Sequence, residues 1–372
     1  MKQLKIEILE LPGYLRTSGL KQALSELLPG FLTVFLLAGL GILNQWVIWG
    51  GQGKFFKHLT WNLLGLIIFF VSVFFGDYKK IPYKLVLWIY GFLCFVLLIA
   101  KRRWIYIMGI SIQPSEFLKP VLLILLSTIA ASEGQYYLSG KKFYKCLGLV
   151  LFAMIMIVKT DLDYSFIIGV MCFVFLLFIG IEKRILKAMF LIFLLLAFVV
   201  VPIGWRKLKP HQKGRIYGYL YPEKYATTWA YQLNQALIAI GDGGLFGHGL
   251  KKGWSTRLNY LPAKDTDLAF AVWAETWGLT GVTLFLLLYG YLLWFGITIS
   301  ETAKDWLGKY MSLGVVLMFL WQLVFNVGGC SGLLPMTSIP LPFLSYGGSI
   351  TISSYFLLSL LFNIGLKRHF FK

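Results

Sequence analysis

Asp267 stands at the mouth of an apolar run, in KDTDLAFAVWAETWG, and Glu275 follows two helical turns later on nearly the same face. A carboxylate near hydrocarbon costs roughly 2.5–3.5 kcal/mol at mid-bilayer on insertion scales, so an acid kept there usually has a use. Acids set among basic residues and flexible backbone suit general-base work, in which a weak nucleophile gives up its proton as it attacks. A simpler role lies beside the chemical one, because Asp265 or Thr266 can cap the helix that begins here.

Four further clusters could do chemistry. In RRWIYIMGISIQPSEFLKP, Pro114 opens a helix, and Ser115 and Glu116 suit its positive end. Glu116 and Lys119, three apart, can neutralise each other; alternatively Lys119 and Arg103 can hold an anionic headgroup. In KTDLDYS, Asp161 can sit in a solvated turn or pair across the bundle with a cation of the first cluster. In IAIGDGGLFGHGL, the glycines allow close backbone approach, as in a phosphate cradle. No GK[ST] follows, so a tight interfacial turn fits that stretch better than a nucleotide site. In GGCSGLLPMTSIPLPFLSYGGS, three prolines exclude a regular helix, and the polar residues around Ser345 lead into the last apolar run.

The elements that position these residues follow from composition. The chain is 58% hydrophobic and only 14% charged, against about 25% charged in soluble domains. Apolar runs long enough to cross roughly 30 Å of hydrocarbon recur throughout, which predicts an all-α polytopic membrane protein and excludes a β-barrel. Ten spans are expected, near 29–49, 59–76, 82–100, 116–132, 144–158, 164–181, 185–204, 267–298, 309–328 and 345–366. The eighth exceeds the need of a bilayer and should tilt or break near Gly278 and Gly281. Between the seventh and eighth lies a long loop, 205–266, with a belt of aromatic residues. The whole of 1–372 reads as one membrane domain, preceded by a polar segment, 1–28, that lacks the pattern of a cleavable signal peptide.

Ten spans put both termini on one side. With termini inside, the inside segments hold 18 Lys and Arg and the short outside loops hold seven, which favours cytoplasmic termini. Eight of the 16 acids (Glu116, Asp161, Asp163, Glu223, Asp242, Asp265, Asp267 and Glu275) then gather on the outside. A net charge of +19 with dispersed basic residues suits anionic lipid rather than nucleic acid. The four cysteines and four histidines share no metal-ligand spacing.

QPSEFLK, the DL of KTDLDYS, the IAIG-GG-GxG stretch, TDLAFAVWAE and IPLPFLSYGGS occur in the order and spacing of the shape, elongation, division and sporulation (SEDS) family, which the chain resembles over nearly its whole length. The PxTxIPLPFLSYGGS wording and compact length look more like the elongation-type RodA branch than the division-type FtsW branch. The resemblance implies a ten-span fold in the bacterial cytoplasmic membrane. It implies a glycosyltransferase that polymerises lipid II, a disaccharide-pentapeptide on undecaprenyl pyrophosphate, on the outer face, beside a class B penicillin-binding protein.

The family's essential acid matches Asp267; its PSE glutamate, following basic residue and DL aspartate match Glu116, Lys119 and Asp161. The chain departs from the family at Asp265, where histidine is usual, at KTDLDY in place of QPDLGT, and at Glu275-Thr276 in place of paired glutamates. Asp267 is then expected as the catalytic base, with Arg103, Glu116, Lys119, Asp161, Arg215, Glu275 and Ser345 around the substrate. The leaving pyrophosphate needs positive charge or a divalent ion such as Mg²⁺ or Mn²⁺, and no residue pattern marks a metal site. Two rivals share the ligand: a lipid II flippase, which predicts polar residues along a path through the bilayer, and a scaffold without catalysis.

Overall fold

The computed structural model of the chain describes residues 18–100, 102–107, 109–134, 138–187, 206, 209–250, 253, 258 and 260–368. In chain order they form α1 (Ser18–Trp49), α2 (Lys54–Phe75), α3 (Tyr83–Ile99), the strands β1 (Ile105–Ile107) and β2 (Ile110–Ile112), α4 (Pro114–Ala131), α5 (Gly140–Val158) and α6 (Leu162–Ile179). After the long connection come α7 (Pro210–Leu220), α8 (Tyr231–Asp242), α9 (Ala269–Thr302), α10 (Trp306–Cys330) and α11 (Gly348–Lys367). The expected seventh span, 185–204, falls outside the described residues from 188 onward.

Among the described residues, seven helices are long and apolar enough to cross a membrane: α1, α2, α4, α6, α9, α10 and α11. α3 is apolar but only 17 residues long. α4 and α11 form the centre. In their most apolar windows 78% and 83% of residues are buried inside the protein, whereas only 28% of the α2 window is. α11 packs on α2 and α4, α9 on α10 and α1, and α4 on α3 and α10. Peripheral helices present large apolar side chains outward, Trp88 at 79% and Phe92 at 64% exposure, as lipid contact requires.

Two boundaries differ from expectation. α1 reaches back to Ser18, into the segment read as a polar lead-in. Residues 18–28 are mostly good helix formers, and Arg368 holds Glu26 at 2.7 Å. Between α3 and α4 the sequence reading has no strand, yet β1 and β2 pair antiparallel, with Ile105 opposite Ile112. The turn between them uses Gly109 at φ 79°, a conformation that glycine adopts without strain.

α9 is 34 residues long and breaks at Gly278, as expected. Gly278 adopts φ 64° and ψ −163°, a region essentially confined to glycine. The break leaves backbone groups that must find partners near the membrane. The glycine-rich stretch after α8 supplies them. His248 and Gly249 N–H donate to the carbonyls of Glu275 and Thr276 (3.1 and 2.9 Å), and Leu279 and Thr280 N–H donate to Gly244 and Leu245 (2.9 and 3.0 Å). IAIGDGGLFGHGL is therefore the end of α8 followed by a turn docked on the broken helix, with the N–H groups of Gly243, Gly244, Gly247, His248 and Gly249 spent on protein carbonyls. A methyl group on Gly278 would collide with the backbone of Leu245 and Gly247. Gly278→Ala is expected to destabilise the protein by about 3 kcal/mol or more, read as a lower thermal midpoint in detergent.

The end of the bundle away from Asp267 is held by polar stitches. Lys367 pairs with Asp77 (2.9 Å), Lys79 with Asp305 (3.1 Å), and the Asn363 amide donates to the carbonyls of Val73 and Gly76 (2.8 and 3.0 Å).

Candidate active site

The acid-bearing turn precedes α9. Thr266 and Leu268 N–H both donate to the Ala263 carbonyl, and the helix opens behind Leu268 with no side-chain cap. The capping expected of Asp265 is thus not what the structure shows. The Asp265 carboxylate accepts instead from the Lys54 ammonium at 2.8 Å, and Lys54 lies 4.8 Å over the Trp49 ring. Where the family carries histidine, this chain carries an acid neutralised by a lysine from α2.

Asp267 is half-buried among charges from three distant parts of the chain, Arg103, Asp161 and Arg215. Burial pushes its carboxyl up to about 6, against the opposing pull of Arg103 and Arg215, while Asp161 adds to the rise. Arg103 Nε pairs with Asp161 at 2.9 Å, and its Nη2 donates to the Ser338 carbonyl at 2.7 Å. Asp161 also caps α6 by accepting from Tyr164 N–H at 3.1 Å. Arg215, on α7 in the long loop, pairs with Asp163. The cross-bundle pair anticipated for Asp161 exists, and it places Arg103 where Asp267 feels it.

An apolar groove of about 450 Å³ opens along α3, lined by Phe92, Phe95, Ile99, Arg102 and Trp104.

Glu116 and Lys119 pair with each other at 2.6 Å and are 1% and 2% exposed. Ser353 on α11 donates to Glu116 at 3.2 Å. The self-neutralising pair describes them; a buried ammonium already matched to a carboxylate is not placed to hold a headgroup. Glu275 is fully buried, packs against Gly253 and lies within electrostatic reach of Lys264. Ser345 is 2% exposed and has both its bonds inside the protein, accepting from Leu341 N–H (2.8 Å) and donating to the Thr266 carbonyl (2.6 Å). Its work is on the turn, not on a ligand.

Sequence reasoning missed the residues that hold this turn, Gln45 and Asn326 above all. The available signal was their type: amides inside apolar helices must find partners, and so mark constrained places. Among the described residues no group of three or more His, Cys, Asp or Glu side chains comes together as a metal site.

Residues 25–369 match the model of the cell cycle protein family FtsW/RodA/SpoVE, and the chain belongs to this family. Its relatives come from more than one branch. Stage V sporulation protein E of Bacillus subtilis is 36% identical over 67% of this chain and 67% of its own length. The peptidoglycan glycosyltransferase MrdB of Helicobacter pylori is 32% identical over 85% of this chain and 84% of its own. A probable peptidoglycan glycosyltransferase FtsW of Coxiella burnetii is 32% identical over 79% and 82%. Among solved structures, a chain of a peptidoglycan synthase complex that coordinates polymerization and crosslinking superposes with a TM-score of 0.75, at 24% identity over 91% of this chain and 97% of that one. The RodA of Thermus thermophilus gives 0.64 at 21% identity, over 91% and 96%. These likenesses establish the polytopic helical fold.

Proposed function

We propose that this chain joins lipid II units into glycan strands, with Asp267 as the general base of an inverting transfer. It is a peptidoglycan glycosyltransferase of the SEDS family, as its relatives' activities indicate. The observation that carries the mechanism is the position of the Asp267 carboxylate, half-buried at the mouth of α9 and within electrostatic reach of the Arg103–Asp161 and Arg215–Asp163 pairs. In the step, the C4 hydroxyl oxygen of the acceptor GlcNAc attacks C1 of the donor MurNAc. The hydroxyl proton passes to Asp267, the O4–C1 bond forms, and the C1–oxygen bond to pyrophosphate breaks. Undecaprenyl pyrophosphate leaves with the bonding electron pair. A positioned base is worth about 10²–10⁴-fold. Arg103 and Arg215, each paired with a carboxylate but still 20% and 38% exposed where Lys119 is buried, supply positive charge to the leaving group. The groove along α3 suits a polyprenyl tail.

The same reading places the termini in the cytoplasm and Asp267 on the outer face of the bacterial cytoplasmic membrane, from the distribution of Lys and Arg. A class B penicillin-binding protein is the partner it implies. Assignment to the elongation branch rests on the PMTSIPLPFLSYGGS wording and the compact length.

The test is purified lipid II given to the purified chain with its co-expressed transpeptidase in proteoliposomes. Glycan strands of many units are expected. Translocation of lipid II with no polymer would favour the flippase, and neither outcome would favour the scaffold.

A further inference from the structure

We infer that Gln45, Asn326 and Ser345 form a clamp on the backbone of the acid-bearing turn and act as positioning residues for Asp267. This rests on the glycosyltransferase reading above.

The three carbonyls of residues 265, 266 and 267 precede Leu268, the N-cap of α9, and so lie outside the helix's own hydrogen-bond ladder. Each is taken by a donor from a distant part of the chain. The Asp265 carbonyl accepts from Gln45 Nε2 at 3.1 Å and from Tyr346 N–H at 2.6 Å. The Thr266 carbonyl accepts from Ser345 Oγ at 2.6 Å. The Asp267 carbonyl accepts from Asn326 Nδ2 at 3.0 Å.

Two of these donors do the same thing twice. Gln45, on α1, gives its second N–H to the Leu344 carbonyl at 2.8 Å. Asn326, on α10, gives its second to the Ile339 carbonyl at 2.7 Å. Each amide thus stitches the acid-bearing turn to the proline-rich segment before α11. Ser345 belongs to that segment, so it joins the two directly. The clamp residues are buried, Gln45 at 0%, Asn326 at 3% and Ser345 at 2% exposure. Among the described residues, Gln45 Oε1 and Asn326 Oδ1 have no hydrogen-bond partner, whereas both N–H groups of each amide do.

The geometry suits positioning more than bulk stability. A side-chain amide bond adds only modestly to net stability, whereas about 1 Å of misplacement at a reacting group can cost about 10²-fold in rate. Asn363 is the matched control. It is a buried asparagine at the far end of the bundle, and its amide also spans two carbonyls, those of Val73 and Gly76.

The experiment compares Asn326→Ala, Ser345→Ala and Asn363→Ala with wild type in the full complex, by lipid II polymerisation kinetics and by hydrogen–deuterium exchange over residues 263–269. Both clamp variants should lose about tenfold or more in kcat, with KM within about threefold, and exchange in that segment should quicken. Asn363→Ala should lower the thermal midpoint without either effect. Unchanged exchange in both clamp variants would overturn the clamp, as would a loss confined to KM or one shared equally by Asn363→Ala. Ser345→Ala, the smaller change, decides the matter if Asn326→Ala does not fold. Quickened exchange beside a wild type that makes no polymer would uphold the clamp and sink the enzymatic reading instead.

Discussion

Asp267→Asn is expected to lower the rate of glycan-strand formation by about 10²–10⁴-fold while leaving the protein no less stable at neutral pH. The first half follows from the role of the carboxylate, since asparagine keeps its shape and cannot take the proton. The second half follows from linkage. Burial raises the folded-state pKa of Asp267 from 3.8 to about 6. An acid with a raised folded value favours the folded state below its unfolded pKa, and that contribution is lost as pH rises through about 6. By pH 7 the ionised carboxylate costs the fold on the order of 3 kcal/mol relative to a neutral side chain. Asparagine removes that cost. Activity and stability should therefore move in opposite directions, read by initial rates and by thermal unfolding of the same preparations. A merely structural carboxylate would lose both together.

Glu116→Ala should produce the largest loss of stability, about 3–5 kcal/mol, because it leaves the Lys119 ammonium buried without its carboxylate. Lys119 lies on the same face one turn further along α4, within the protein interior rather than against lipid or water. The paired substitution Glu116→Met with Lys119→Met removes both charges and fills similar volume. It should return the thermal midpoint to about the wild-type value or above. If the single and double variants were equally destabilised, the packing of α4 on α11 would matter more than the charge.

The helical architecture was legible because hydrocarbon imposes one pattern, long apolar runs, on every span. The break in α9 was legible too, since Gly278 falls in a helix longer than the bilayer requires. Asp267, Asp161, Arg103 and the Glu116–Lys119 pair stood out because a charge near hydrocarbon is costly and scarce. Where the sequence reading went astray, the deciding partner was far along the chain. Asp265 looks like a helix cap from its neighbours, yet it is claimed by Lys54 on α2. Ser345 looks like a ligand contact in a polar run, yet its hydroxyl is spent on Thr266. The job of the glycine stretch could not be read until the break at Gly278 was seen to need donors and acceptors. Gln45 and Asn326 carry no spacing signature, because 220 and 59 residues separate them from the carbonyls they hold.

The most direct test of the central claim is the pH dependence of single-turnover polymerisation of purified lipid II, from about pH 4.5 to about pH 8, by wild type and Asp267→Asn. The wild-type rate should be level above an inflection near 6 and fall about tenfold per unit below it, as the base is protonated. The small residual rate of the variant should show no inflection there. A wild-type profile flat through this range, or a variant that kept the inflection, would contradict the assignment and place the base on another group.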